Sequence, residues 1–326
     1  MRAIVIDRPG GEDAMRVGEL PAPVPGPGEL LVRVAAAAVN RADMLQRQGL
    51  YPPPPGASPV LGLECAGTVA AVGPGAAGWS AGERVMALLA GGGYAEQVAV
   101  PAVCAMRVPA RLSLEEAAAV PEVFLTVFLN VFQLGALPAG GWVLVHGGGS
   151  GIGTAAIQMV KAAGGHILVT AGTDEKCRRC IELGADAAVN YRTGDFAAEA
   201  KAATGGAGVD VVLDSIGAPY LAKNLASLAS GGRLVLIGLM GGAKAEIGLG
   251  ELLVRRLSVI GSTLRSRPAT EKGALVSAFV ARFGAALEDG RLRPVVDRVL
   301  PLAEAPAAHR AMKASEHFGK IVLRMA

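Results

Sequence analysis

The chain has 326 residues, enough for two domains that each bury an apolar core. Its 31 basic and 28 acidic residues leave a formal charge of +3, too balanced to point to nucleic acid or an anionic membrane surface as the partner. Residues 1–7 (M-R-A-I-V-I-D) read as a strand, not as a signal peptide. The longest apolar stretch, residues 123–137, is interrupted by Thr126, Asn130 and Gln133 and so predicts a buried helix instead of a membrane span. Four cysteines, with Cys65 and Cys104 standing alone, suit a reducing, cytoplasmic setting.

The first 120 or so residues have β character. Short apolar runs at 29–37, 68–72, 83–90 and 94–100 are separated by Pro21-Ala22-Pro23, Pro25-Gly26-Pro27-Gly28, Gly73-Pro74-Gly75 and Gly91-Gly92-Gly93. Many short strands between such turns could form a barrel-like core. Helices begin after Ser113, where Glu115 and Glu116 mark an N-terminus and Pro121 breaks the helix.

Residues 142–154 read W-V-L-V-H-G-G-G-S-G-I-G-T. The apolar run is that of a strand covered on both faces, and Gly147, Gly148 and Gly149 allow a sharp turn. Apolar residues then recur at helical spacing through Ile152, Ala155, Ala156, Met159, Val160 and Ala163. Strand, glycine turn and helix together present helix N-terminal N–H groups to a diphosphate. The register is not the strict dinucleotide fingerprint, because Ser150 stands where its second glycine belongs. An ordinary structural turn is therefore the competing reading.

Strand and helix alternate from 142 to 264, with strands expected at 143–146, 167–170, 187–191, 209–214, 233–238 and 257–262. Gly164, Gly184, Gly205-Gly206 and Gly231-Gly232 are expected to close the helices. This alternation predicts a doubly wound parallel sheet, whose ligand lies beyond the carboxyl ends of the strands. The residues to read there are Ser150, those from Thr170 to Lys176, Tyr191, Ser215, Ile216, Gly217, Leu239, Met240, Gly241, Gly242, Thr263 and Leu264.

The second strand end speaks to the cofactor. NAD usually meets an acidic residue there, about 20 residues past the glycines. Here the strand runs out in Thr170-Ala171-Gly172-Thr173, small and uncharged, with Lys176 one turn into the next helix. A lysine above small residues suits the 2′-phosphate of NADPH, and Tyr191 could cover it. Asp174 and Glu175 offer a ribose alternative, although acids in a first turn are favoured by the helix dipole alone. Cys177 and Cys180 form a C-x-x-C, but with Ile181 and Gly184 they make a buried helical stripe. His146 ends a central strand as a core histidine, and His166, His309 and His317 are scattered.

These segments together resemble the zinc-free quinone oxidoreductase branch of the medium-chain dehydrogenase/reductase superfamily, most like its tumour-suppressor-inducible type. The resemblance is carried by Asn40-Arg41-Ala42-Asp43, Gln46-Arg47-Gln48-Gly49, Tyr51, Pro53-Pro54-Pro55-Gly56, Gly62-Leu63-Glu64, Ala118-Ala119-Val120-Pro121-Glu122, the run from Ser150 to Gln158, Gly238-Leu239-Met240-Gly241-Gly242, Leu264-Arg265-Ser266-Arg267 and Gly319-Lys320-Ile321-Val322-Leu323. It implies an α/β chain of two parts: a Rossmann NADP-binding domain at 122–264, and a GroES-like β-barrel catalytic domain built from 1–121 and 265–326. It also implies a homodimer, or a tetramer built from it, formed through the last Rossmann strand, with the cofactor in the cleft between domains.

Alcohol dehydrogenases of this superfamily hold catalytic zinc with cysteine and histidine ligands. The matching positions here resemble Asn40 and Leu63-Glu64, with no cysteine near Val123, and Leu63 cannot ligate. No metal is therefore expected. The resemblance implies NADPH-dependent reduction of a quinone by hydride transfer, with the acceptor stacked on the nicotinamide. Tyr51 and Asn40 would line the acceptor side, Tyr51 as a hydrogen-bond donor to the developing oxyanion. Packing on the proline run (Tyr51) and loop holding (Asn40) are the competing readings. Cofactor contacts are expected from Thr126, Gly148, Ser150, Gly151, Ile152, Gly153, Gly172, Thr173, Lys176, Tyr191, Ser215, Ile216, Gly217, Leu239, Met240, Gly241, Thr263, Leu264 and Lys320. An enone or alkenal double-bond reductase and a non-enzymatic, crystallin-like cofactor-binding protein are the other two hypotheses.

Overall fold

A computed structural model describes residues 1–325. Seven strands lead the chain: β1 (Arg2–Ile6), β2 (Met15–Glu19), β3 (Glu29–Ala38), β4 (Glu64–Val72), β5 (Arg84–Leu88), β6 (Gln97–Pro101) and β7 (Ala105–Arg107). Six follow: β8 (Trp142–His146), β9 (His166–Ala171), β10 (Ala187–Asn190), β11 (Val209–Asp214), β12 (Leu228–Leu236) and β13 (Ser258–Gly261). β14 (Val296–Pro301) and β15 (Lys320–Arg324) come last.

The strands divide between two compact units, one of Met1–Leu125 with Leu264–Ala326, the other of Thr126–Thr263. The junctions thus fall at Thr126 and Leu264, against the 122 and 265 read from the motifs.

In the first unit a seven-stranded sheet runs β14-β15-β3-β4-β5-β7, with β6 also paired to β3. All its pairings are antiparallel except β14 with β15. Strand β3 alternates buried and less buried residues along most of its length, the period of a sheet with one covered face. Its inward residues Leu30, Val32 and Val34 join Ile4, Leu61, Tyr94, Val98, Ile321 and Leu323 in one core. The last strand is therefore a core element of the same unit as the first, which is why both chain ends belong to it. β4 begins at Glu64, four residues before the apolar run suggested, because small Ala66 and Gly67 still pair with β3.

The second unit is a six-stranded, wholly parallel sheet in the order β10-β9-β8-β11-β12-β13. This is the doubly wound arrangement, and its order reverses between β8 and β11, where such sheets receive their ligands. Val143, Leu144 and Val145 of β8 have no solvent exposure, as a central strand covered on both faces requires.

Two expectations need correction. The helix before β12 is Leu221–Ser227, so Gly231-Gly232 does not close it. Those glycines lie in a bulge, where Val209 pairs with Leu228 but Val211 already pairs with Arg233, and Gly231 takes the loop-out at φ +79°. Residues 123–137 are not one regular helix either. Helix Pro121–Val127, which Pro121 opens, widens into a π-helix at Phe128–Leu134.

Candidate active site

At the carboxyl end of β8 the chain turns through Gly147–Gly149 into helix Gly151–Ala162. Ser150 caps this helix, its Oγ accepting from the Gly153 N–H at 3.0 Å. The hydroxyl proton of Ser150 is left to donate elsewhere. A Cβ on Gly153 would stand 2.4 Å from both the Gly147 and Gly148 carbonyl oxygens. One on Gly148 would stand 2.7 Å from the Val169 side chain and 2.9 Å from Cys180 Sγ. Only hydrogen fits at either place, so the turn lies close against β9 and the helix Asp174–Glu182 beyond it. Cys177 and Cys180 are buried and unbridged, but the expected stripe stops there: Ile181 is exposed and Gly184 only partly covered.

Past β9, Thr173 caps helix Asp174–Glu182 through the Lys176 N–H at 3.2 Å. The two acids that competed for a ribose are engaged. Asp174 accepts from Asn190 Nδ2 at 2.8 Å, and Glu175 pairs with Arg178 at 2.7 Å. Tyr191 OH lies 2.8 Å from where a Gly172 Cβ would stand, so the phenol covers Gly172. Lys176 is half-buried in the first turn beside them.

The loops after β11 and β12 are tied together. Met240 N–H donates to the Ser215 carbonyl at 3.1 Å, Gly241 N–H to that of Ile216 at 2.7 Å, and Ala218 N–H to that of Gly242 at 3.0 Å. Leu239 and Met240 remain about half exposed. Thr126 is buried, its carbonyl accepting from Asn130 Nδ2 at 2.8 Å. Thr263 follows β13 on the surface, and Leu264 belongs to the other unit.

Beneath the site lies a directed polar chain. Asp214 accepts from the Ile216 and Gly217 N–H groups at 2.6 and 3.0 Å and from Asn224 Nδ2 at 3.0 Å. That orientation turns Asn224 Oδ1 to His146 Nε2, 2.7 Å away, so the imidazole carries its proton on Nε2. His146 Nδ1 is then the acceptor for the Thr170 hydroxyl at 3.1 Å, and Thr170 Oγ1 accepts from the Gly147 N–H at 3.3 Å. Burial holds His146 at a pKa of about 4, so it stays neutral. The core histidine thus ties the glycine turn to the loop after β11.

In the first unit, Asn40 precedes helix Arg41–Arg47 and is nearly buried. Its Nδ2 donates to Glu64 Oε1 at 2.9 Å and to the Ala38 carbonyl at 3.2 Å, and its Oδ1 accepts from Lys320 Nζ at 2.6 Å. Lys320 also donates to the Val39 carbonyl at 3.0 Å and lies 2.7 Å from Glu64 Oε1. These three partners, and not a cofactor, are what the structure places around the Lys320 ammonium. The position that resembles a zinc-ligand position therefore holds an amide bonded to an ammonium.

A second directed chain supports helix Arg41–Arg47. Arg47 donates to His309 Nδ1 at 3.2 Å, leaving His309 Nε2–H to donate to Tyr94 OH at 3.2 Å. Tyr94 in turn donates to Asp43 Oδ2 at 3.2 Å. Asp43 also accepts from the Asn40 and Gly62 N–H groups, yet burial pushes it up to about 6. Tyr51, partly exposed, lies under Arg265, whose guanidinium carbon is 5.3 Å from the ring centroid. Arg265 donates to the Tyr51 and Ala90 carbonyls and to Gln46 Oε1, and Lys272 donates to the Arg265 carbonyl. Burial and Glu122 raise the Tyr51 phenol, against Arg265.

Sequence reasoning missed Arg265, Lys272, Glu122 and the Thr170–His146–Asn224–Asp214 chain as parts of these clusters. Glu122 and Arg265 did lie in stretches that carry the resemblance, but nothing in their spacing assigned either of them a role.

Residues 26–110 match the family model described as the alcohol dehydrogenase GroES-like domain, and 151–280 match that of the zinc-binding dehydrogenase. A quinone oxidoreductase of Homo sapiens is 30% identical over 99% of this chain and 97% of its own length. The crystal structure of an Escherichia coli quinone oxidoreductase complexed with NADPH superposes with a TM-score of 0.87 at 30% identity, covering 99% of this chain and all of the other. A solved structure described as an NAD-dependent alcohol dehydrogenase gives a TM-score of 0.87 at 37% identity, with both chains fully covered. With a parallel 3-2-1-4-5-6 sheet, a GroES-like unit assembled from both chain ends and a quinone oxidoreductase matched over 97% of its length, the chain belongs to the medium-chain dehydrogenase/reductase superfamily.

Proposed function

We propose that the chain is a zinc-independent NADPH:quinone oxidoreductase, a reading that goes beyond the oxidoreductase superfamily membership shown above. The observation that carries it is the end of β9. At this corner Gly172 lies under the Tyr191 phenol and Lys176 stands in the first turn that Thr173 caps, while Asp174 and Glu175 are engaged by Asn190 and Arg178. A ribose carrying a 2′-phosphate suits such a corner; a bare ribose would find no free acid there.

The residues fit the cofactor. The close-packed turn at Gly148 and Gly153, with Ser150, Gly151 and Ile152 at the start of a 12-residue helix, suits the diphosphate. Thr126, Ser215, Ile216, Gly217, Leu239, Met240, Gly241 and Thr263 are assigned to the nicotinamide half. NADPH supplies the hydride when bound; the chain's part is to hold it and to orient the acceptor. Tyr51 is assigned to the acceptor oxygen, and Asn40 holds the loop behind it through Glu64 and Lys320. A quinone needs no metal to accept hydride, and the donors at Asn40 and Leu63-Glu64 suit an ammonium better than zinc.

Dimerisation through β13 is part of the same proposal. β13 is the last strand of its sheet, and Val259 upon it and Leu249, Leu253 and Val254 in the preceding helix are exposed. No helix among the described residues is long and apolar enough to cross a membrane. The four unbridged cysteines support a reducing, cytoplasmic setting.

Steady-state assays with NADPH and NADH, each against a benzoquinone and a simple enal, test the reading. Faster turnover of the benzoquinone with NADPH is expected, with no stoichiometric zinc and activity retained in chelator. A faster enal reaction would identify an enone reductase. Cofactor binding without turnover of either acceptor would leave only a binding role.

A further inference from the structure

Glu122 is an acid of this cluster that the proposed reaction has not used. Its backbone N–H donates to Glu64 Oε2 at 2.8 Å, which fastens it to the Glu64–Lys320–Asn40 group. Its carboxyl lies in the field of Glu64, Asp43, Lys320 and Lys272, and acts in turn on Tyr51 and Arg265. Oε2 is sealed from solvent and has no hydrogen-bond partner, while the residue as a whole is partly exposed. A carboxylate with one oxygen sealed, unbonded and close to a second carboxylate is costly. A neutral carboxyl group is not, and it has a proton to give.

We propose that Glu122 is the general acid of acceptor reduction, giving its carboxyl proton to an oxygen of the acceptor as the hydride arrives. The inference rests on the reductase reading above. One hydride and one proton convert a quinone into a hydroquinone. The C–H bond of the dihydronicotinamide breaks and its electron pair forms the new bond on the acceptor. The Glu122 O–H bond breaks as the acceptor oxygen gains its proton, and the carboxylate regains one from water. Burial, with the charge of Glu64, pushes Glu122 up to about 8 against the opposing pull of Lys320 and Lys272. An acid poised so close to neutrality is a better donor than the Tyr51 phenol, which is itself raised above its ordinary value.

The test compares wild type with Glu122→Gln and Glu122→Asp, using NADPH and a benzoquinone. NADPH binding, read by fluorescence, should be unchanged, and kcat of Glu122→Gln should fall about a hundredfold, the usual weight of a general acid. Wild-type kcat should decline as pH rises through about 8, where the proton is lost. That limb should vanish in Glu122→Gln, while Glu122→Asp keeps it and part of the rate. Independently of turnover, infrared difference spectra of wild type against Glu122→Gln should show a carboxylic-acid carbonyl band at neutral pH that fades in alkali. An active wild type matched by an equally active Glu122→Gln overturns the acid role alone, as does absence of that band. A wild type inactive with NADPH on every acceptor refutes the reductase reading and the acid role together.

Discussion

Lys320 Nζ lies 2.7 Å from Glu64 Oε1, with both side chains almost wholly withdrawn from solvent. Neither charge could remain there alone, since each has given up its hydration and kept only the other, Asn40 and backbone groups as partners. Lys320→Met is therefore expected to destabilise the protein by roughly 3–5 kcal/mol, the usual cost of breaking a buried pair. Urea unfolding checks it. Adding Glu64→Gln should restore part of the loss, because the orphaned charge is then removed; a double variant no more stable than Lys320→Met would count against the pairing.

Lys176→Ala should weaken NADPH binding by roughly 1.5–3 kcal/mol, the scale of a charge-assisted bond, and leave NADH binding nearly unchanged. Isothermal titration with both cofactors decides it. Equal losses for the two would move the 2′-phosphate away from the Gly172–Lys176–Tyr191 corner.

Gly153→Ala asks for a methyl group 2.4 Å from two carbonyl oxygens of the preceding turn. That backbone cannot yield as a flexible side chain would, so the turn must shift. A stability loss of about 1–3 kcal/mol is expected, together with weaker NADPH binding. Thermal unfolding with and without NADPH separates the two effects, and an unaltered cofactor-induced rise in Tm would argue that the turn does not touch the diphosphate.

His146 makes stability depend on pH with a definite sign. Its folded pKa of about 4 lies below the ordinary 6.5, so the unfolded chain binds its proton more readily. The contribution is fully present above about pH 6.5 and is lost as pH falls toward 4; fully developed it is roughly 3 kcal/mol. His309, held at about 3 by burial and Arg47, behaves likewise. Comparison of wild type with His146→Gln by denaturant unfolding across that range isolates the first histidine. The gap between them should narrow on acidification, and a constant gap would contradict a neutral, buried imidazole.

Much of the nucleotide unit was legible without coordinates because its signals are local. An apolar run such as Val143-Leu144-Val145, a glycine turn and helical spacing from Ile152 onward each specify a conformation within a few residues. The Ser150 and Thr173 caps are equally local, but the sequence reading assigned both residues to the cofactor and not to capping. The bulge at Gly231 and the π-helix at Phe128–Leu134 were not legible, since a glycine pair and an apolar run suit several conformations and only pairing with β11 or packing selects one.

By itself the sequence determined the alternation of strands and helices in the nucleotide unit, the glycine turn after β8 and the small uncharged end of β9, because those depend on neighbours a few bonds apart. Tertiary structure alone decided what Asn40, Glu64, Glu122 and Lys320 do. Lys320 meets Asn40 across 280 positions of chain, and the charge state of a buried acid follows from what the fold sets against it. Spacing along the chain carries no record of either.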